Sequence, residues 1–435
     1  MFQDDEPTWD VIVIGGGPAG YFASIQCAES AIQAGSPLKV LVLEKSRRTL
    51  GKVIISGGER CNVTHACFEP ARLVTYYPRG GAALRGPFTR FQPRDTVNWF
   101  EKRGAPLKTE EDGRMFPVTD SSLTIVGCLE DAASQAGVSV WSQSALLELQ
   151  LLQPTPDSGA RFRLKVRRDS IQTEQYLLAR SVLFATGSEQ HCQQIIQGLG
   201  HTMHSPVPSL FTFKITDARI NELAGLSVAK AGLQFEGDPG QKKSVIPAQQ
   251  GPVLITHWGL SGPAVLKLSA WGARWLHERD YHAGLLVNWL YPLTTEKIYE
   301  ELREYREVAG NNRKKPSANP VFTQIPLRLW KRLVEASDIA EQANWADVSK
   351  PSMRCLAEEL TAGRYQVEGK GIFKDEFVTC GGVSLDEVDF KTMQSRLVPG
   401  LFFAGEVLDI DGLTGGFNLQ NAWTTGWLAG NGMLA

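Results

Sequence analysis

The chain has 435 residues, more than a single hydrophobic core usually carries, so two or more domains are expected. Its 43% hydrophobic and 21% charged residues are those of an ordinary folded protein and exclude a largely disordered chain. A formal net charge of -2 argues against a surface that grips nucleic acid all over, while leaving local basic patches open.

The acidic opening, MFQDDEPTWD, runs directly into a strand-like segment and carries neither the basic region nor the apolar stretch of a secretory signal. No apolar run approaches the roughly 18 residues of a membrane span. The cysteines, at positions 27, 61, 67, 128, 192, 355 and 380, show no CxxC pair and no zinc-ligand spacing. These features predict a cytoplasmic protein in a reducing compartment, with no membrane contact, no structural disulfide set and no metal site.

Residues 9–14, WDVIVI, read as a strand that ends in the turn GGGPAG and continues as a helix. LKVLVLEK, residues 38–45, is a second apolar strand ending in an acid, which completes a βαβ unit. Gly15, Gly17 and Gly20 form a G-x-G-x-x-G where a dinucleotide-binding turn requires it. Gly15 permits the tight turn, Gly17 lets backbone approach a pyrophosphate, and Gly20 lets the helix pack closely on the strand. Pro18 and Ala19 lie inside the same turn, where the free N–H groups of the helix start face the phosphates. Glu44 stands where a carboxylate accepts hydrogen bonds from ribose hydroxyls, which favours the unphosphorylated ribose of NAD or FAD over NADP.

Residues 92–103 and 121–136 are predicted helices, the second capped by Asp120 or Ser121. From about 140 to 180 the alternating pattern predicts a small antiparallel meander with a turn at 154–159. SVLFATG, residues 181–187, reads as the next parallel strand of the first sheet. From about 205 to 370 the character changes: LFTFKI, VLITHW and GLLVNWL alternate with glycine-rich turns, and a helical run from 294 to about 308 precedes NNRKKPSANP. This predicts an inserted domain with a β part and a small helical part, and no repeat of fixed period is present. The last 35 residues return to the first theme as strand, acidic turn, glycine turn and helix, so the chain comes back to complete its nucleotide domain.

A nicotinamide-only dehydrogenase does not need that second glycine turn. FAD does, because its ribityl hydroxyls and ring system must also be held. Glu406 is the candidate for the ribityl contact, and Gly415, Gly416, Phe417 and Asn418 for the ring end; the alternative for Glu406 is a carboxylate that caps its own turn. No second G-x-G-x-x-G follows a strand, so a dedicated NAD(P)H domain is not expected.

GGGPAG, Glu44, GKVIISGGERCNVT, GRMFPVTDSS, LFATG, THWGLSGPAVLKLS, VTCGGV and GLFFAGEVLDIDGLTGGFNLQNAW, in this order, resemble the BaiN/RdsA family of FAD-dependent flavoproteins over essentially the whole chain. The resemblance implies an α/β fold: a Rossmann-like FAD-binding domain from both chain ends, 1–203 and 371–435, interrupted at 204–370 by a β-barrel with a helical subdomain near 294–350. It implies reduction of a carbon-carbon double bond, either of uridine to dihydrouridine in large-subunit ribosomal RNA or of a small molecule, with NAD(P)H as external reductant. It places Lys52, Ser56, Gly57, Gly58, Arg60, Cys61 and Asn62 along the flavin, with Gly405 and Glu406 completing the site. Lys45, Ala185, Thr186 and Gly187 join the cofactor-binding candidates. Two departures stand out: Glu59 replaces the third glycine before Arg-Cys-Asn, and the segment after ATG is short and polar instead of glycine-rich.

Reduction of an enone-like bond needs a hydride and a proton from a general acid. Cys61 is one candidate acid, with Glu59 expected to raise its thiol pKa; the alternative is a buried thiol that only packs behind the ring. His257 is a second candidate, against the reading of a structural histidine. Arg60 is read as an anion contact to FAD. For RNA, the cations Arg313, Lys314, Lys315, Arg328, Lys331 and Arg332, with Phe322 and Trp330 nearby, suit backbone tracking and base stacking; the alternative is a solvated helix face with its aromatics in a small core. Three function classes stay open: an RNA-modifying flavin reductase, a small-molecule ene-reductase or dehydrogenase, and a non-catalytic flavin-binding protein. Oligomeric state is not legible.

Overall fold

The computed structural model describes residues 6–153, 159–237, 245–371 and 378–434. They form two compact units, one running to Pro206 and resuming at Thr379, the other Val207–Val378.

The first unit is built on parallel strands Ser139–Trp141, Val40–Leu43, Thr8–Ile14, Thr173–Phe184 and Leu401–Phe403, adjacent in that order. Their apolar runs are continuous because helices cover the sheet; Val11, Ile12, Val13 and all of Val40–Leu43 are at most 1% exposed. The strand expected at 181–187 is the end of a longer one. Thr173–Ala179 pairs antiparallel with Phe162–Arg168, which pairs with Ser144–Leu151, and the same strand continues to Phe184 inside the parallel sheet. The turn expected at 154–159 falls, at 154–158, outside the described residues.

The expected helices appear as Pro93–Glu101 and Ser122–Gln135, the latter with Ser121 at its N-cap and no side-chain capping bond. The short polar segment after ATG forms helix Gln190–Gly198, started by Glu189, whose carboxylate accepts from the Cys192 N–H at 2.7 Å.

The glycine turn feeds helix Pro18–Gln33, and the last helix, Phe417–Gly432, packs directly on it. A Cβ on Gly426 would lie 2.7 Å from the Ala19 carbonyl oxygen, and one on Gly430 2.7 Å from that of Ala23. Two glycines one turn apart thus let the backbones approach with the helices parallel, and both helix starts open beyond the carboxyl ends of their strands, where ligands bind in such sheets.

The second unit is a closed antiparallel barrel of six strands, in the order Phe213–Lys214, Gly259–Ser261, Gln249–Thr256, Ser227–Phe235, His282–Asn288 and Gly363–Lys370. Phe213, Phe235, Leu285, Val287 and Val367 fill its core. Helices Thr295–Glu307, Leu327–Ala336 and Lys350–Ala362 bury Trp330 and Trp345. Among the described residues, no helix is long and apolar enough to cross a membrane.

Candidate functional site

The three motif glycines have different reasons. Gly15 has φ +107°, and a Cβ there would sit 2.5 Å from the Ala185 carbonyl oxygen. A Cβ on Gly20 would lie 2.0 Å from the Gly15 carbonyl oxygen. A Cβ on Gly17 would meet nothing within 4 Å. Gly15 and Gly20 therefore serve packing, and Gly17 faces open space at a helix start that has Pro18 in its first turn, no acid there and no side-chain cap. That combination is a cradle for an anion. Glu44 flanks it: Oε2 accepts from the Gly16 N–H at 2.8 Å and Oε1 from the Ser46 N–H at 2.7 Å. These bonds fix the carboxylate and leave lone pairs for hydroxyl donors.

Gly405 follows strand Leu401–Phe403 with φ +76°, and its Cβ would lie 2.8 Å from that of Ala19, so this turn abuts the first. Glu406 ion-pairs with Lys52 and accepts from the Thr379 N–H at 3.2 Å, and a Cβ on Gly187 would be 3.5 Å from its carboxylate. Lys52, Gly187 and Glu406, distant in sequence, thus converge. Lys45 pairs instead with Glu189 at 3.1 Å, which brings it to the helix after ATG.

The segment Ser56–Asn62 is a left-handed loop. Gly57, Gly58, Glu59 and Cys61 have φ of 59°, 68°, 65° and 62°, so one of the left-handed positions is filled by glutamate. A Cβ on Gly57 would come within 2.8 Å of both the Asn62 nitrogen and the Phe116 ring, whereas one on Gly58 would meet nothing within 4 Å. The loop is closed by the Cys61 N–H donating to the Ser56 carbonyl and tied to the next helix by the Ser122 N–H donating to the Glu59 carbonyl, each at 2.9 Å. Asn62 joins it to the C-terminal turn: its amide nitrogen donates to the Thr64 carbonyl and its amide oxygen accepts from the Gly416 N–H, both at 3.0 Å.

Two expectations for this loop change. Arg60 bonds to Glu110 at 2.8 Å and Asp120 at 3.2 Å and lies 4.0 Å over the Phe116 ring, so its charge is balanced by protein carboxylates and it braces the loop. Cys61 is fully buried; burial pushes its thiol up to about 12, against a hydrogen bond with Ser56 that lowers it. Glu59, exposed on the loop, is not among the causes, because water screens a carboxylate that far out.

At the C-terminal turn, Gly415 and Gly416 have φ of 130° and 91°, and a Cβ on Gly416 would lie 2.6 Å from the Thr64 carbonyl oxygen. Asn418 closes the turn, accepting from the Gly412 N–H at 2.8 Å and donating to the Gly412 carbonyl at 2.9 Å. Phe417 turns inward, stacked on Tyr76 at 4.4 Å and on His65 at 4.8 Å. These two residues are therefore scaffolding by their side chains, and only the backbone at this helix start faces outward to a ligand.

Sequence reasoning missed the supports. Asp411 is buried and ion-paired with Arg79, Tyr77 donates to the Phe417 carbonyl at 2.7 Å, and Gln420 accepts from Thr64 and Thr96 beneath the loop. The polar residues of TGGFNLQNAWTT were a signal, since a helix this buried carries Gln and Thr only when they are satisfied. Their partners, over 300 residues earlier in the chain, were not legible.

His257 belongs to the second unit, exposed at the turn between Gln249–Thr256 and Gly259–Ser261. The expected stacking platform is not formed. Trp330 is fully buried and donates to the Pro316 carbonyl at 2.7 Å, and Phe322 is 5% exposed in the same core. Lys331 pairs with Glu341 at 2.7 Å and Arg332 with Glu222 and Glu335, each at 3.5 Å, while Arg328 donates to the Glu222 carbonyl. Arg313, Lys314 and Lys315 remain exposed. Acids absent from that stretch of sequence are brought in by the fold.

A family profile described as HI0933-like protein Rossmann domain matches residues 9–432. The chain is 29% identical over 434 residues to the ribosomal RNA dihydrouridine synthase of Escherichia coli (strain K12), covering 98% of each chain. It is 24% identical over 420 residues to the 3-dehydro-bile acid delta(4,6)-reductase of Clostridium scindens, covering 96% of this chain and 97% of that one. Among solved structures it is similar to a 3-ketosteroid-delta4-(5alpha)-dehydrogenase of Rhodococcus jostii, with a TM-score of 0.53, 14% identity and coverage of 100% and 98%, a likeness of fold.

Proposed function

The chain belongs to the HI0933-like Rossmann family, and from that premise we propose that it is an FAD-dependent oxidoreductase that reduces a carbon-carbon double bond. The observation that carries the reading is Gly17, the one motif glycine whose missing side chain opens space in front of an uncapped helix start. FAD, when bound, supplies the hydride. In this reading the backbone from Gly17 to Gly20 holds the pyrophosphate and Glu44 accepts from the adenosine ribose. The Lys52 and Glu406 pair meets the ribityl chain, and the backbone of Gly415 and Gly416 meets the ring, their N–H groups and the helix start favouring negative charge there.

Cys61, neutral at ordinary pH and sealed behind its loop, walls the cofactor and does not deliver the proton. His257 remains a donor candidate by its exposure. NAD(P)H is the proposed reductant. Uridine in ribosomal RNA is the preferred substrate, supported by end-to-end similarity to a relative of that activity and by the exposed cations Arg313, Lys314 and Lys315. A small-molecule enone is the second reading, supported by the bile-acid reductase of similar coverage. The test is anaerobic: the purified protein is expected to bind FAD, to be reduced by NADH or NADPH, and to be reoxidised by ribosomal RNA fragments with formation of dihydrouridine. Reoxidation by soluble enones alone would select the second reading, and failure to bind FAD would refute both.

A further inference from the structure

We propose that His65 is the electrostatic partner of the reduced cofactor, an imidazole that takes up a proton when the bound flavin is reduced. The proposal rests on the reading that FAD occupies this site.

Strand Thr64–His65 follows directly from the left-handed loop and runs under the C-terminal turn. The His65 ring stacks on Phe417, the first residue of the C-terminal helix, at 4.8 Å and 20°, and a Cβ on Gly415 would lie 3.6 Å from its Cδ2. An imidazole edge is thus held beside the glycines assigned to the ring end. The helix start has no acid in its first turn and no side-chain cap, so it too favours negative charge at that place.

The ring is prepared for one change of charge. Its Nε2 lies 3.1 Å from the Asp112 carbonyl oxygen, which can only accept, so Nε2 carries hydrogen and the proton that makes the ring cationic goes to Nδ1. Gly113, whose Cβ would lie 2.5 Å from the ring, closes one side, and Tyr76 and Phe417 contribute uncharged faces. Of the charged groups around it, Arg114, opposite His65 in the strand pair, is bonded to Glu110 at 2.9 Å and Asp112 at 2.7 Å, and Arg60 to Glu110 at 2.8 Å. Those charges are matched among themselves, which leaves a histidine in its usual range, near pH 6.5, able to respond to a new anion. Two electrons and one proton convert bound flavin to its anionic reduced form, and a second proton, drawn from solvent, goes to His65.

The experiment is the midpoint potential of the FAD-loaded protein as a function of pH, for the natural chain and for His65→Gln and His65→Asn. The expected result is uptake of two protons per two electrons on the acid side of the histidine's pKa and one on the alkaline side, with the reduced spectrum remaining that of the anion throughout. Both variants are expected to show one proton across the range and a lower potential below that inflection. A natural chain with no inflection, or one whose reduced spectrum changes to the neutral form across it, would overturn the inference without need of a folded variant. So would variants that retain the inflection. A protein that binds no FAD would instead remove the reading beneath it.

Discussion

Two glycine loops line this site, and they use glycine for opposite ends. In the turn from Gly15 to Gly20, two glycines let backbone touch backbone and the third leaves space for something that is not protein. In the loop from Ser56 to Asn62 the chain itself winds left-handed, and Gly57 and Gly58 are required by their own φ. The first loop tolerates no side chain because of what surrounds it; the second tolerates few because of how it is wound. The second consequently admits Glu59 and Cys61 at a local energetic cost, while the first admits no non-glycine at Gly15 or Gly20.

Substitutions separate these reasons. The largest effect is expected at Gly20→Ala, where a Cβ 2.0 Å from a carbonyl oxygen must move the helix; loss of about 3 kcal/mol or more is expected in denaturant unfolding. Gly57→Ala combines left-handed strain with contacts of 2.8 Å and is expected to lose about 2 kcal/mol, against about 1 kcal/mol for Gly58→Ala, which meets nothing. Equal losses at Gly57 and Gly58 would break the account of that loop.

Gly17→Ala is expected to unfold like the natural chain yet to bind FAD at least about tenfold more weakly in a fluorescence titration, a difference of roughly 1.4 kcal/mol. An unchanged affinity would mean the open space is not the pyrophosphate's. The wall loop should also respond to alkali. The folded pKa of Cys61 is raised to about 12, so its contribution to stability is complete below the unfolded value of roughly 8.5 and is lost as pH climbs toward the folded one. Cys61→Ala should flatten that alkaline decline in urea midpoints. The smallest effect is expected from Glu59→Gly: relief of a left-handed residue, offset by extra freedom in the unfolded chain, leaves a gain of about 0.5 kcal/mol.

Much of this arrangement was legible. The order strand, glycine turn, helix, strand named the first loop because each of its requirements is local, within a few residues of one another. The return of the chain for a second glycine turn announced a discontinuous domain. Less legible were charges and aromatic rings. Six cations read as a surface for RNA, yet Glu222, Glu335 and Glu341 meet three of them across the helical part, and Trp330 is buried beneath them. Arg60 read as an anion contact, yet Glu110 and Asp120, which follow it by 50 and 60 positions, take up its charge.

By itself, then, the sequence determined the α/β class, the nucleotide turn and the two chain ends that meet around it, since periodicity and glycine spacing act over a few residues. Only the tertiary structure decided which groups remain available at the site: that Cys61 is sealed, that Phe417 and Asn418 are scaffolding, that Asp411 is neutralised by Arg79, and that His65 stands beside Gly415. The physical reason is that burial and ion pairing depend on which side chains share a volume, and here the partners lie up to 352 positions apart, as for His65 and Phe417, a separation no local pattern records.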